Sequence, residues 1–322
     1  MNLGKLIENI NNHVGYYAFG AIVAGMITSS FFQLEFIKFF IPVALFIMLY
    51  PMMLDIRPDI IGKAVKRPWL LVLALVINFV LCPLLMAVLI GLFRLDTSPF
   101  LTIGLLLYAS IPCGSMVPAF TGMLDGNITL SVTITAISLV LTAIIVPFWT
   151  RLLVLDFISV PIILVVKYLL LMIILPLILA ALTRWIVIRK QGASAYQSFS
   201  TRIKNVSSFG LLLLCFIMFM RDGNIVLNNP ILILQIFAPI VSFLLILLAG
   251  ISVWCRYAHV AREDAIAIVI SCSAKNNALS IALAIAVFGG EVAMINTIAG
   301  LMVQLPVMIC FIKVTKNRLE KA

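Results

Sequence analysis

The residues of this chain that could bind or exchange charge stand deep inside its most apolar stretches. One set, Ser271-Cys272-Ser273-Ala274-Lys275-Asn276-Asn277, occupies the middle of an apolar run over residues 264–288. Lys275 lies about eleven residues from the inner end of that run, too deep to snorkel. An ammonium at such depth costs at least roughly 2.5–3.5 kcal/mol, so it needs a partner or a function. Lys167, nearer the outer third of its own run, can instead reach the headgroups. A second set reads Ile111-Pro112-Cys113-Gly114-Ser115-Met116-Val117-Pro118, within a run over 99–124. Cys113 offers a thiol, either a soft ligand for a thiophilic centre or a small filler where helices cross. Pro112 removes a backbone donor and disfavours helix at Ile111, Gly114 permits unusual dihedrals, and Pro118 repeats the interruption. The expectation is a broken helix, with a simple proline kink as the alternative. Freed amides and carbonyls at that depth must be covered by protein or water.

What is missing narrows the chemistry. No Asp or Glu stands in the central part of any apolar run, so carboxylate proton relays and intramembrane aspartyl proteolysis lack their usual group. His13 and His259 fall at run ends, which removes the base of a Ser–His hydrolase. Cys113 with Lys275 is the one conceivable nucleophile–base pair, and it keeps a membrane enzyme in view. No metal or cofactor site is expected. The six cysteines, Cys82, Cys113, Cys215, Cys255, Cys272 and Cys310, lie in or at the ends of apolar runs and should be free thiols.

The elements that must position these groups follow from composition. Of 322 residues, 64% are hydrophobic and 11% charged, too few polar groups to coat a soluble protein. The net charge of +10 comes from short connectors and forms no continuous face, which excludes a nucleic-acid partner. A crossing needs about 20 residues at 1.5 Å each. That ruler predicts ten spans, near 15–33, 36–54, 69–93, 99–124, 128–150, 158–185, 206–220, 231–255, 264–288 and 291–314, in an all-α membrane protein. Residues 1–14 carry no signal-peptide core, and Leu3, Leu6, Ile7 and Ile10 share one helical face suited to the membrane surface. With cytoplasmic termini, sixteen Lys and Arg fall inside and four outside (Lys38, Arg94, Arg151 and Arg221), and 315–322 forms a cytoplasmic tail. The longest polar connector is 186–205. A boundary near Asp156 divides the chain into 15–155 and 156–314, two five-helix repeats of opposite orientation, with the interrupted fourth and ninth spans in equivalent places.

Over nearly its whole length the chain resembles the superfamily of bile acid:sodium symporters and arsenical-resistance permeases. The resemblance rests on Pro112-Cys113-Gly114-Ser115, on Asp125-Gly126-Asn127-Ile128-Thr129-Leu130-Ser131-Val132, on Asn78-Phe79-Val80-Leu81-Cys82-Pro83 and on Lys275-Asn276-Asn277-Ala278-Leu279. It implies a core domain in which the fourth and ninth helices unwind and cross, beside a panel domain of the first, second, sixth and seventh. Ser131 and Thr135 match two sodium ligands of the sodium-coupled members. Val117, Pro118, Ser271 and Lys275 replace the Ser, Asn, Glu and Gln found there, which turns the local charge against a second sodium. The arsenical-resistance branch is similar at Tyr50-Pro51-Met52-Met53, at Asn78 and Pro83, at Cys113 and at Asn276-Asn277. Of the residues around that branch's cysteine only Cys113 is kept clearly, with Met116-Val117 displaced toward it.

These observations lead to a secondary active transporter of a small anionic or metalloid solute in the cell membrane. Arsenite-type efflux with proton linkage leads, and a sodium-coupled organic anion symporter is the alternative. In that expectation Asn78, Pro112, Cys113, Gly114, Ser115, Asn276 and Asn277 bind substrate, while Lys275, Ser271, Ser131 and Thr135 serve coupling. Lys275 would stand in for a bound cation, donating to groups freed near Pro112 and Ser271. Its charge and the amide ends of the broken helices would draw an anion to the crossing.

Overall fold

In hydrocarbon every backbone donor and acceptor must be bonded within the segment, so apolar runs of this length become helices. A computed structural model describes residues 14–32, 36, 40–54, 68–96, 98–114, 116–153, 162–228 and 231–319. The segment 1–13, with the expected surface helix and His13, and Ser115 lie outside the described residues. The helices are α1 (Val14–Phe31), α2 (Ile41–Leu54), α3 (Pro68–Leu92), α4 (Pro99–Ser110), α5 (Val117–Gly122), α6 (Ile128–Leu153), α7 (Ile162–Gln191), α8 (Ala193–Asn228), α9 (Ile231–Tyr257), α10 (Arg262–Ser273), α11 (Asn277–Leu283) and α12 (Gly290–Thr297, continuing to Leu319). Among the described residues the only strand-like pairing is a single bridge. Among the described residues three helices, Pro68–Leu92, Ile231–Tyr257 and Gly290–Asn317, are long and apolar enough to cross a membrane by themselves. Val72, Val76, Val88 and Leu92 of α3 and Leu234, Leu245 and Val253 of α9 point outward, as lipid-facing side chains do. The chain is an all-helical, multi-pass membrane protein.

Two compact units divide the chain. One contains α1, α2, α7, α8 and residues Ile281–Met294; the other contains α3 to α6, α9, α10, the start of α11 and the chain from Ile295 onward. In the first unit α8 packs along both α1 and α2. Tyr196 of α8 donates its hydroxyl to Leu54 O at 2.8 Å, and Ser207 donates to Met48 O at 2.7 Å.

The expected connector 186–205 is helical on both sides of one residue, Gly192, at φ 88°. Gly192 N–H bonds back to Ile188 O at 3.0 Å, a left-handed cap that only glycine takes without strain. Arg189 and Lys190 sit in the last turn of α7, where they oppose the helix dipole. Polarity here marks long helices, not a loop, and the seventh run, expected at 206–220, belongs to a helix over Ala193–Asn228. At the C-terminus the expected tail likewise begins as helix, through Leu319.

In the second unit two helices widen into π-turns ahead of prolines. Ile77–Leu81 precedes Pro83, and Ile298–Gln304 precedes Pro306. A proline lacks the N–H for the carbonyl one turn back and crowds it, and one wider turn relieves both faults. Each π-turn carries one polar side chain that the site uses, Asn78 and Gln304.

Candidate functional site

The site grows from two interruptions that meet. α4 ends at Ile111, whose extended conformation (φ −71°, ψ 147°) is what the residue before a proline prefers. Chain then runs through Pro112, Cys113 and Gly114 before α5 begins at Val117. Pro118 does not interrupt again as expected: it sits in the first turn of α5, where no backbone donor is needed. α10 ends at Ser273, Ala274 is extended (φ −89°, ψ 102°), and α11 begins at Asn277. Asn276 caps it, its Oδ1 accepting Leu279 N–H at 3.1 Å.

The unwound pieces pair as an antiparallel bridge between Cys113 and Lys275. Gly114 N–H donates to Ala274 O and Asn276 N–H to Pro112 O, both at 2.9 Å. A Cβ on Gly114 would fall 3.0 Å from Lys275 O, so the close approach depends on glycine. Both backbone groups of Lys275 are also covered. Gln304 Oε1 accepts Lys275 N–H at 2.8 Å, its Nε2 donates to Lys275 O at 3.1 Å, and Tyr108 donates its hydroxyl to the same Oε1. One glutamine side chain thus replaces a missing turn of helix.

Lys275, 2% exposed, sends its ammonium to Asn78 Oδ1 at 2.9 Å. This corrects the expectation that it would reach groups near Pro112 and Ser271. Pro112 O is taken by Asn276, and Ser271 O receives Asn78 Nδ2 at 3.2 Å. Asn78 Nδ2 also donates to Ala74 O at 3.1 Å, so both halves of the amide are fixed. The partner of the buried cation is therefore a neutral, oriented dipole. An ammonium has three donors. The thiol of Cys82 adjoins it, and Cys82 in turn donates to Cys272 O at 3.8 Å.

The thiol of Cys113 finds its partners on α6. It lies 3.4 Å from Thr135 Oγ1 and 3.2 Å from Ser138 Oγ. Ser131, Thr135 and Ser138 follow at helical spacing on one face, and Thr135 returns its hydroxyl to Ser131 O at 2.8 Å. The Asp125-Gly126-Asn127 turn seats this helix. Asn127 Oδ1 accepts Leu130 N–H at 3.0 Å, while its Nδ2 donates to Asp264 at 2.7 Å.

Asn78, Pro112, Cys113, Gly114, Thr135, Ser271, Lys275 and Asn276 are thus brought together. Ser131 stands one turn away and bonds Ile128 O at 2.9 Å. Asn277 turns toward the backbone of Gly300, and its Oδ1 is buried without a partner, as are the hydroxyls of Ser271 and Ser273. Gln304, Ser138, Tyr108, Cys82 and Cys272 were missed. Ser138 was signalled by its spacing from Thr135, and Gln304 by being polar inside an apolar run just ahead of a proline. All six cysteines are free thiols, and among the described residues no group of His, Cys, Asp and Glu could hold a metal.

Residues 42–229, more than half of the chain, match the model of the Sodium Bile acid symporter family. The arsenical-resistance protein Acr3 of Alkaliphilus metalliredigens is 29% identical over 315 residues, covering 88% of this chain and 83% of that protein. An uncharacterized transporter of Synechocystis sp. is 26% identical over 303 residues, covering 86% and 78%. An uncharacterized sodium-dependent transporter of Bacillus subtilis, YocS, is 28% identical over 145 residues, covering 44% of each. Cys113 and Lys275 turn to different partners, no enzyme is among these relatives, and the membrane-enzyme alternative gives way to transport: the chain belongs to the sodium bile acid symporter family.

Proposed function

We propose that the chain is a secondary active transporter that moves a small anionic or metalloid solute by alternating access, with arsenite-type efflux linked to protons as its activity. The single observation that carries this is the buried Lys275 ammonium, held at the crossing by the neutral Asn78. A cation kept at that depth without a carboxylate attracts negative charge or takes the place of a mobile cation. The orphan hydroxyls of Ser271 and Ser273 and the Oδ1 of Asn277 add polar groups that a ligand or water would satisfy. Cys113 supplies the soft ligand for a trivalent metalloid, with Thr135 and Ser138 beside its sulfur. The long match to an arsenical-resistance protein supports the same substrate.

In this proposal ten helices cross the cell membrane, in inverted repeats over 15–155 and 156–314, with both termini cytoplasmic. Residues Ser131 and Thr135 belong to coupling, together with Lys275 and Ser271. The division of the chain, with α1, α2, α7 and α8 in one unit, supports a panel and a core domain. A sodium-coupled organic anion symporter is the second reading, favoured by the three unpartnered oxygens, which suit a hard cation.

The test is uptake of arsenite into everted vesicles, which reports efflux from the cell, and protection of an arsenite-sensitive host, with sodium and pH varied separately. Efflux that varies with pH, needs no sodium and is lost in Cys113→Ser at unchanged protein level is expected. Sodium-dependent uptake of a carboxylate, with full protection by Cys113→Ser, would move the second reading ahead.

A further inference from the structure

A groove of about 910 Å³ runs between α9, α10 and the second half of α12, wholly within the unit that holds the crossing, and the crossing does not use it. Leu245, Ala249 and Val253 recur every fourth residue along one stripe of α9 and line one wall. Ile266 of α10 and Val307 and Phe311 of α12 line the other. Two charged groove residues stand at one end. Arg256 in the last turn of α9 and Arg262 at the start of α10 lie on either side of the short turn over 258–261. Both are exposed, and neither guanidinium has an ion pair or hydrogen bond among the described residues. The nearby acids do not neutralise them within the groove: Asp264 accepts from Asn127, and Glu263 is exposed and does not line it.

We propose that this groove seats an acyl chain of an anionic phospholipid whose phosphate is held by Arg256 and Arg262. Paired guanidiniums match a phosphate through bidentate, charge-assisted hydrogen bonds. A basic pocket between membrane helices at the end of an apolar channel presents the two chemistries of a lipid in their order along the molecule. A free phosphate would use the arginines alone and leave the apolar length without a role.

Purified protein is titrated with phosphatidylglycerol, phosphatidylcholine or soluble glycerol phosphate, and read by native mass spectrometry and thermal unfolding. Discrete retention of phosphatidylglycerol with a raised Tm, absent with the other two, is expected. Arg256→Gln with Arg262→Gln lowers that retention by about tenfold or more. Ala249→Trp, which fills the slot and leaves both arginines, also abolishes it. Equal retention of phosphatidylcholine, unchanged retention in either variant, or the same Tm shift with glycerol phosphate alone would overturn the proposal.

Discussion

The two interruptions meet at one bridge, yet they are made differently. Between α4 and α5 the break is written into the backbone by Pro112 and Gly114, and its side chain Cys113 finds partners on the neighbouring helix α6. Between α10 and α11 the residues are Ala274, Lys275 and Asn276, none of which forbids a helix. That break exists because distant groups satisfy it: Gln304 takes both backbone groups of Lys275, and Asn78 takes the ammonium. One break is imposed by stereochemistry and the other is held open by hydrogen bonds. The first is fixed by its own backbone, and the second depends on side-chain bonds that single substitutions can remove.

The largest effect expected from this contrast is on transport. Lys275→Met removes the buried charge with similar side-chain length, and efflux should fall to background. Stability should change little, because losing a buried charge is neutral or favourable by about 1–4 kcal/mol while leaving Asn78 Oδ1 unpaired costs about 1–3 kcal/mol. Thermal unfolding beside vesicle transport separates the two. A variant that fails to fold would show that the Asn78–ammonium bond carries more of the break than these nearly cancelling energies allow, and that the backbone bonds from Gln304 are not enough to hold it.

Next in size is Gln304→Leu. It strands the N–H and carbonyl of Lys275 and the hydroxyl of Tyr108 in a buried site, and at about 1–3 kcal/mol per stranded group the loss is roughly 3–9 kcal/mol. Denaturant titration should show it. The matching loss at the proline-made break has no single side chain to remove, since its pairing is backbone to backbone.

How much could be read in advance follows the same line. Pro112, Gly114 and Lys275 were legible because proline stereochemistry and a deep cation are local signals. The Cys113–Lys275 bridge, the use of Gln304 and the choice of Asn78 over groups near Pro112 were not, because they depend on which residues far apart in sequence come to face one another. The connector 186–205 misled for another reason. Composition reports where water is, not where a helix ends, and Gly192 alone carried the punctuation. Ten crossings and inverted repeats remain expectations of hydropathy and charge.

A smaller effect is expected at Gly114. A methyl there comes 3.0 Å from Lys275 O, against backbone that cannot rotate aside, so the two chains must part by a few tenths of an ångström. Gly114→Ala should cost about 1–3 kcal/mol and reduce transport with it, read by unfolding and vesicle assays together. Because the methyl presses on the α10–α11 side, a second substitution in Gln304 should add less than its own full cost, and a double-mutant cycle measures that coupling.

Least of all should follow from Pro118→Ala, although the sequence pairs this proline with Pro112 as a helix breaker. Pro118 lies in the first turn of α5, where the N–H it lacks has no intrahelical acceptor and its fixed φ already suits a helix. Alanine removes only the restriction on the unfolded chain, a loss of about 0.4–1 kcal/mol, and the break should stay where it is with transport retained. Pro112→Ala differs in kind. It gives Ile111 freedom to continue α4, and the bridge bonds from Asn276 to Pro112 O and from Gly114 to Ala274 O must then hold the break without steric help. If the break is imposed by stereochemistry, Pro112→Ala reduces transport more than Pro118→Ala by a clear margin. Equal effects would mean that the bridge, and not the proline, keeps α4 from running on.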